Sequence, residues 1–279
     1  MSDLRALLGD AALRLSMANI DSPRLDARLL LAQAMTVRPD SLIGSIDVPP
    51  EALADFNVMI ARRILREPLA YITGNKEFWS LDFDVGPGVL VPRPDTETMI
   101  EAVLKYFPDK SAALNILDLG TGTACLPIAA LTEYPNAKAV AVEASAEAIK
   151  WAKRNIEKHA LTGRCHLEQG NWEQVPTASA DVILSNPPYI RSDDIPTLGP
   201  EVRKFEPVSA LDGGRDGLDA YRSLAALIAR LMEPAGKAFL EIGQGQGGEV
   251  SALMEGQNLR IREILTDLAG IERCVVVEH

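Results

Sequence analysis

Four consecutive residues, Asn186-Pro187-Pro188-Tyr189, combine a side-chain amide, two prolines and an aromatic ring directly after an apolar run. The prolines remove two backbone donors and stiffen the turn, and Asn186 is held extended because it precedes a proline. The Asn186 side-chain oxygen and the Pro187 carbonyl then form a rigid pair of acceptors beside the face of Tyr189. An NH2 group on a planar body matches this array. The motif therefore predicts chemistry at an amino or amide nitrogen.

A glycine-containing loop, Asp118-Leu-Gly-Thr-Gly-Thr-Ala-Cys125, leads from a predicted strand into a predicted helix. Gly120 and Gly122 allow a sharp turn and a close approach to a ligand. A dinucleotide-binding loop would have a third glycine in place of Cys125, which disfavours a dehydrogenase. Glu143 ends the next predicted strand and can accept both hydroxyls of a ribose, so the predicted ligand is a nucleoside. For the loop considered alone, a tight turn followed by a surface glutamate is the alternative.

The elements that must position these motifs alternate between strands and helices from residue 95 onward. This alternation is typical of an α/β fold with a doubly wound parallel sheet, whose ligands bind outside the carboxyl ends of the strands. The last two strands are close enough in sequence to pair as an antiparallel hairpin at the edge. The predicted strands are Asn115–Leu119, Lys138–Glu143, Cys165–Gln169, Asp181–Ser185, Gly236–Ile242, Ile261–Leu265 and Arg273–Glu278.

Residues 1–76 are predicted to form a small α-helical domain, and residues 77–279 a second, larger domain. The first helix has Ser2 as a plausible N-cap, and the third begins at about Pro50 and ends before Pro68. The second helix begins at Pro23, and its predicted apolar face carries Leu25, Leu29 and Leu30. In the second domain, residues 77–91 alternate apolar and polar side chains around Gly86-Pro-Gly88, which predicts a hairpin with its turn there.

The composition narrows the class of protein. Residues 81–279 carry a net charge of −10, against −1 for residues 1–80, which counts against direct binding of nucleic acid. Three well-separated cysteines fit a reducing compartment, so we expect a cytoplasmic protein without disulfides. The three histidines have no metal-ligand spacing with a cysteine, so no metal site is expected. Every apolar run is too short to span a membrane.

The Asn-Pro-Pro-Tyr motif and the Asp-Leu-Gly-Thr-Gly loop together resemble S-adenosylmethionine-dependent methyltransferases that act on planar amino or amide nitrogens. Four flanking segments are similar to the HemK-type peptide chain release factor glutamine methyltransferases. The resemblance covers about residues 68–279 densely, and the N-terminal helices match only in length and character. The four segments are Pro68–Gly74, Val89–Glu97, Ala210–Leu218 and Glu241–Gly247.

This resemblance implies a class I methyltransferase fold, a Rossmann-like seven-stranded sheet with an antiparallel edge hairpin, and S-adenosylmethionine as cofactor. It also implies Glu143 at the cofactor ribose and Asn171-Trp172 near its adenine. The family has glycine at the position of Ala124 and aspartate at that of Asn171. The residues implied for the methionine end of the cofactor are Gly120, Thr121, Gly122, Thr123 and Ala124.

The implied reaction is methylation of the side-chain amide nitrogen (N5) of the glutamine in the Gly-Gly-Gln motif of class 1 peptide chain release factors. Asn186, Pro187 and Tyr189 would be catalytic, Asn186 would also contact the cofactor, and Pro188 would join them in binding the substrate. Residues 1–76 would dock the protein substrate. Two alternatives stay open: an amino-methyltransferase acting on ribosomal protein or nucleic-acid bases, and a non-catalytic binding module with the same fold.

Overall fold

The computed structural model describes residues 4–44, 46–174 and 178–279, and Ser2 lies outside them. The described chain divides into two units. The first comprises the residues up to Asn75 together with Gly199–Phe205, and the second comprises Lys76–Leu198 and Glu206–His279. The predicted boundary between residues 76 and 77 lies next to this division. No sequence pattern indicated that Gly199–Phe205 joins the first unit.

The N-terminal helices of the first unit enclose an apolar core. Leu15, Leu30, Phe56 and Ile60 are fully buried at its centre, as their helical spacing predicts. Leu25, predicted to share the buried face of the second helix, is 56% exposed instead. The N-terminal helices are α1 (Leu4–Met17), α2 (Pro23–Met35), α3 (Pro50–Ile64) and the short α4 (Leu69–Thr73).

The buried face of α2 includes a charged residue, Asp26, which explains why the predicted leucine stripe is rotated. Asp26 accepts a hydrogen bond of 2.7 Å from the Arg63 side chain, and both groups are almost fully buried. Arg63 also donates at 3.0 Å to Glu201, which Arg66 contacts at 2.7 Å. Glu201 lies in Gly199–Phe205, so these ion pairs attach that segment to the first unit.

The second unit contains the strands and the helices that cover them. Among the described residues, no helix has the length and apolar character needed to span a membrane. The helices of the second unit are α5 (Glu97–Tyr106), α6 (Cys125–Glu133), α7 (Ala146–Lys158), α9 (Asp219–Leu231) and α10 (Gly247–Glu255). Helix α8 (Pro200–Phe205) lies in the segment that belongs to the first unit. Its strands are β1 (Asn75–Phe78), β2 (Leu81–Asp84), β3 (Asn115–Leu119), β4 (Lys138–Glu143), β5 (Cys165–Gln169), β6 (Ala180–Ser185), β7 (Met232–Glu241), β8 (Arg260–Thr266) and β9 (Glu272–Glu278).

Strands β3 to β9 form a seven-stranded sheet in the described part of the chain, with the order β5-β4-β3-β6-β7-β9-β8. The pairs from β5 to β7 are parallel, and β9 is antiparallel to both β7 and β8. The predicted strands and the antiparallel hairpin at the edge are therefore confirmed. The largest difference is at β7, which begins at Met232 rather than Gly236.

The hairpin predicted around Gly86-Pro-Gly88 has its turn in a different place. The strands of the two-stranded sheet, β1 and β2, are joined by Trp79 and Ser80, both with positive φ, as a tight two-residue hairpin turn requires. Gly86 and Gly88 serve close packing instead. A Cβ at Gly86 would lie 2.5 Å from the ring of Trp151, and one at Gly88 would lie 2.8 Å from the Glu147 side chain.

We expect Arg63→Met to destabilise the first unit by about 3–5 kcal/mol, because it leaves the buried carboxylate of Asp26 without its cation and leaves Glu201 with Arg66 alone. Hydrogen exchange of the amides of α2 and α3 measures this loss. The matched control is Arg14→Met, which removes an exposed ion pair with Asp10 and should cost less than about 1 kcal/mol. Equal protection in the two variants would contradict the structural role of Arg63.

Candidate active site

The loops that follow β3, β4, β5 and β6 meet at one edge of the sheet, because these strands are parallel neighbours. They border a cavity of about 600 Å³ within the second unit. Three of the residues predicted for the site, Ala124, Pro187 and Tyr189, do not line it. The predicted residues that do line it are Gly120, Thr121, Gly122, Thr123, Glu143, Asn171, Trp172, Asn186 and Pro188.

The loop after β3 folds back over the end of β4. The amides of Gly120 and Thr121 both donate to the Val142 carbonyl at 2.9 Å. Gly120 and Gly122 have φ of +82° and +56°, a region that glycine enters without strain. A Cβ on Gly120 would lie 3.4 Å from the ring of Trp172, so the indole packs against the bare backbone of the loop.

Ala124 adopts φ +63° immediately before α6, where the resemblance implies glycine. A left-handed conformation costs a residue with a Cβ about 1–2 kcal/mol. Its methyl group is fully buried, which offsets part of that cost. The substitution therefore acts on the backbone that shapes the loop.

Glu143 is fixed by backbone donors from two loops. Its Oε2 accepts from the Gly122 amide at 2.8 Å, and its Oε1 accepts from the Ser145 amide at 2.8 Å. Each carboxylate oxygen has a second lone pair, so both can still accept from hydroxyl groups in the cavity. The geometry matches the predicted role of Glu143 in holding two neighbouring ribose hydroxyls.

Asp118, the acid before the glycine loop, is fully buried beside this group. The pKa of its carboxyl is raised to about 7, because burial and the Glu143 charge raise it more than the Thr121 hydroxyl lowers it. Neither oxygen of Asp118, nor the Thr121 hydroxyl, has a hydrogen-bond partner of ordinary geometry in the described protein. Asp118 does not line the cavity, whereas Thr121 and Glu143 do, and their oxygens offer acceptors to a ligand that carries donor groups.

Asn186 lies across the cavity on the loop after β6. Its Nδ2 donates to the Thr96 hydroxyl at 3.3 Å, and Thr96 is itself buried and lines the cavity. The donor end of the Asn186 amide is therefore engaged, and its acceptor oxygen is available for another group. Pro188 lines the cavity as well, whereas Pro187 is buried behind it.

Tyr189 has a different environment from the one that the sequence suggested. Its ring packs partly against the core of the sheet, and its hydroxyl donates to Glu241 Oε1 at 3.3 Å. The side chain of Gln246 donates to the Tyr189 carbonyl at 3.0 Å. Direct contact between the Tyr189 ring and a substrate stays a prediction.

Sequence reasoning assigned no role to several residues that hold the Asn-Pro-Pro-Tyr loop in place. A Cβ on Gly213 would lie 2.7 Å from the Pro188 carbonyl oxygen, and one on Gly217 would overlap the Tyr189 carbonyl. Thr96, Glu241 and Gln246 supply the polar contacts. All five lie in segments that carry the family resemblance.

The groups familiar from metal or thiol chemistry are absent or inert in the described part of the chain. No cluster of three or more His, Cys, Asp and Glu side chains among these residues is arranged to hold a metal ion. Cys125 lines the cavity, but burial raises the pKa of its thiol to about 12, so it is protonated near neutral pH.

Comparison with known proteins agrees with this geometry. The family model described as PrmC N-terminal domain matches residues 6–74, and the one described as Methyltransferase small domain matches residues 93–198. A release factor glutamine methyltransferase from Rhodospirillum rubrum is 42% identical over 278 residues, covering 99% of this chain and 85% of the relative. The chain belongs to the release factor glutamine methyltransferase family.

Solved structures show the same fold as this family member at low sequence identity. A methyltransferase from Pyrococcus furiosus has a TM-score of 0.53 and 21% identity, covering 78% of this chain and 95% of its own. A 16S rRNA N2 G1207 methyltransferase from Thermus thermophilus has a TM-score of 0.51 and 19% identity, covering 74% and 49%. The fold class is therefore confirmed, and the curated relatives and the methyltransferase domain confirm the family resemblance and S-adenosylmethionine as cofactor.

We expect Glu143→Gln to weaken binding of S-adenosylhomocysteine about 10- to 100-fold, because an amide NH2 would face one of the two backbone donors and the charge would be lost. Isothermal calorimetry measures the change. Glu147→Gln, an exposed position in the first turn of α7, is the matched control and should bind normally. Equal affinities for the two variants would show that Glu143 does not bind the cofactor.

Proposed function

We propose that the chain transfers a methyl group from S-adenosylmethionine to N5 of the glutamine in the Gly-Gly-Gln motif of class 1 release factors. Family membership supports this reaction, because the relatives that match nearly the whole chain are named for it. The single observation that carries it is the oriented amide of Asn186 at the cavity that also contains Glu143. The predicted nucleoside site at Glu143 and the predicted acceptor for an NH2 group at Asn186 thus line the same cavity.

The residues of the cavity fit the cofactor. When bound, S-adenosylmethionine supplies an electrophilic methyl group on a positively charged sulfur. Glu143 would hold the ribose, Asn171 and Trp172 would border the adenine, and the loop Gly120–Thr123 would hold the methionine end. The unpartnered Thr121 hydroxyl lines the cavity and can accept from a donor group of the cofactor.

The acceptors of the Asn-Pro-Pro-Tyr loop would act on the target amide. An amide nitrogen is a weak nucleophile because its lone pair is delocalised. The Asn186 side-chain oxygen would accept one of its hydrogens and favour the pyramidal, partly positive nitrogen of the transition state. The Pro187 carbonyl stays the predicted acceptor for the second hydrogen, although Pro187 does not line the cavity. A methylated, protonated amide loses its proton readily, so the chain needs no strong base. No histidine lines the cavity in the described residues.

We expect Asn186→Ala to lower kcat about 100-fold or more while the affinity for S-adenosylhomocysteine changes little, because the lost acceptor acts in the transition state. Transfer of labelled methyl to a release factor or a Gly-Gly-Gln peptide measures kcat. Asn136→Ala, an exposed asparagine of the second unit, is the control.

An unchanged kcat for Asn186→Ala would remove Asn186 from the reaction. The same labelled assay with ribosomal protein, RNA and DNA tests the alternative substrates. Label on any of these, with none on the release factor, would replace the proposed function. Label on no substrate would favour a non-catalytic binding module.

The first unit is proposed to dock the body of the release factor, in the cytoplasm where translation ends. A glutamine on a loop offers a small target, so selectivity for one protein needs a second contact surface. Residues 1–80 are nearly neutral, which suits a mixed polar and apolar interface. Leu13 and Met17 lie one turn apart on α1 and are 61% and 78% exposed, and they give this surface an apolar patch.

We expect the double variant Leu13→Ser, Met17→Ser to lower kcat/KM on the intact release factor about tenfold, with no change on a short Gly-Gly-Gln peptide. Leu268→Ser, a fully exposed leucine of the second unit, is the control. Point variants are preferred to deletion of residues 1–76, which would remove the Arg63 and Arg66 partners of Glu201. Equal losses on factor and peptide would contradict docking.

A further inference from the structure

Glu241 is a buried acid that the reaction described above does not use. It ends β7, beside β6, which leads into the Asn-Pro-Pro-Tyr loop, and it pairs with Cys274 of β9 on the other side. Its exposed fraction is 2%. A carboxyl group at such a position costs free energy to bury, so its contacts are informative.

One contact of Glu241 is direct, because the Tyr189 hydroxyl donates to its Oε1 at 3.3 Å. A second contact runs through Thr96. The Thr96 hydroxyl accepts from Asn186 Nδ2, so its own proton is free to point elsewhere, and it interacts with the Glu241 carboxyl. Glu241 Oε2 has no hydrogen-bond partner in the described protein. One carboxyl group therefore reaches both polar side chains of the Asn-Pro-Pro-Tyr motif.

A purely structural ion pair does not account for Glu241. Arg273, the cation that lowers the pKa of Glu241, is engaged by Asp95 at 2.9 Å and by Asp267 at 3.0 Å. Glu241 itself forms no ion pair within 4.0 Å among the described residues. Its side chain interacts with the hydroxyl groups of Tyr189 and Thr96. Thr96 lines the cavity, and Tyr189 follows Pro188, which lines it as well.

We propose that Glu241 is a positioning residue for methyl transfer: it orients Tyr189 directly and Asn186 through the Thr96 hydroxyl. The proposal rests on the proposed function for its catalytic consequence. The orientation of Asn186 is a property of the protein without substrate and can be measured separately.

The protonation state of Glu241 decides how many hydroxyls it can orient. As a carboxylate it accepts from both, whereas as a carboxylic acid it carries a proton of its own and loses acceptor capacity. Burial raises the pKa of Glu241 to about 7, with Asp95 adding to the rise and with Thr96, Tyr189 and Arg273 opposing it. The oriented arrangement is therefore complete above about pH 7 and is lost as the pH falls through that value.

Four titratable side chains that interact electrostatically with Glu241 keep one charge state in this range. Burial raises the pKa of Tyr189 and of Tyr221 on α9, so both stay neutral. The thiols of Cys125 and Cys274 also have raised pKa values and stay protonated. Asp118 is different, because its pKa is also about 7, and it needs its own control.

The kinetic test uses the full chain with Glu241→Gln, Thr96→Val, Tyr189→Phe and the double variants that combine Glu241→Gln with each of the others. We expect Glu241→Gln to lower kcat about tenfold, with affinity for S-adenosylhomocysteine unchanged within about twofold. Thr96→Val and Tyr189→Phe should each lower kcat in the parent and have much smaller effects beside Glu241→Gln, because the groups act as one unit. Glu263→Gln, which removes another tyrosine–glutamate contact on the same sheet, is the matched control and should retain kcat.

The second measurement follows the ¹⁵N side-chain amide signal of Asn186 by NMR between pH 5.5 and 8.5, without substrate. We expect it to shift with a midpoint near pH 7 in the parent and in Asp118→Asn, and to lose that transition in Glu241→Gln and Thr96→Val. A transition that persists in Glu241→Gln, or an additive kinetic cycle, would overturn the positioning role. If no Gly-Gly-Gln substrate is methylated, the proposed function fails, and the NMR result still decides whether Glu241 orients Asn186.

Discussion

The parallel pairing of β3 with β4 on one side and β6 on the other is the constraint on which the site depends. Leu119 lies opposite Val142, and Asp118 lies opposite Leu184, so the three strands end at nearly the same level. The loops that follow must then share one edge. The Ser185 hydroxyl donates to the Leu119 carbonyl at 2.7 Å and fixes β6 against β3 just before the Asn-Pro-Pro-Tyr turn. Small shifts in this register would separate the nucleoside site from the amide acceptor.

Three acids at or next to the ends of β3, β4 and β7 have different environments. Glu143 is half-buried and accepts two backbone hydrogen bonds, so its position is set before any ligand arrives. Asp118 and Glu241 are fully buried, and burial raises the pKa of both carboxyls to about 7. Burial disfavours the charged form of a carboxyl group, because the charge loses its contact with water. Of the three acids only Glu143 lines the cavity, where its fixed carboxylate suits a ligand that carries donor groups.

The first unit depends on a different interaction. Its apolar core is built by the N-terminal helices and the loops between them, but Arg63 also pairs with Glu201, which lies far along the chain. A segment between the Asn-Pro-Pro-Tyr loop and Glu206 is therefore held by the helical unit. The first unit is therefore built from two stretches that are far apart in the sequence.

Much of this architecture is determined by local sequence. Alternating strand and helix patterns located the sheet strands to within a few residues, because an apolar strand between two helices has few other solutions. The glycine loop, Glu143 and the Asn-Pro-Pro-Tyr motif were also recognisable, since glycine, an acid at a strand end and a double proline each restrict the backbone or its ligand. The contact between Thr96 and Asn186 at the cavity was not recognisable, because the two residues lie far apart in the sequence.

Tertiary structure decided the features whose cause is a distant neighbour. Gly86 and Gly88 have the local signature of a hairpin turn, but the hairpin turn itself lies at Trp79. A side chain at Gly86 or Gly88 would collide with Trp151 or Glu147, respectively. The exposure of Leu25 follows from the pairing of Asp26 with Arg63, a contact between two helices. Local patterns report how one segment can fold. Only the packed chain determines which buried acid meets which hydroxyl, because that depends on groups brought together from separate elements.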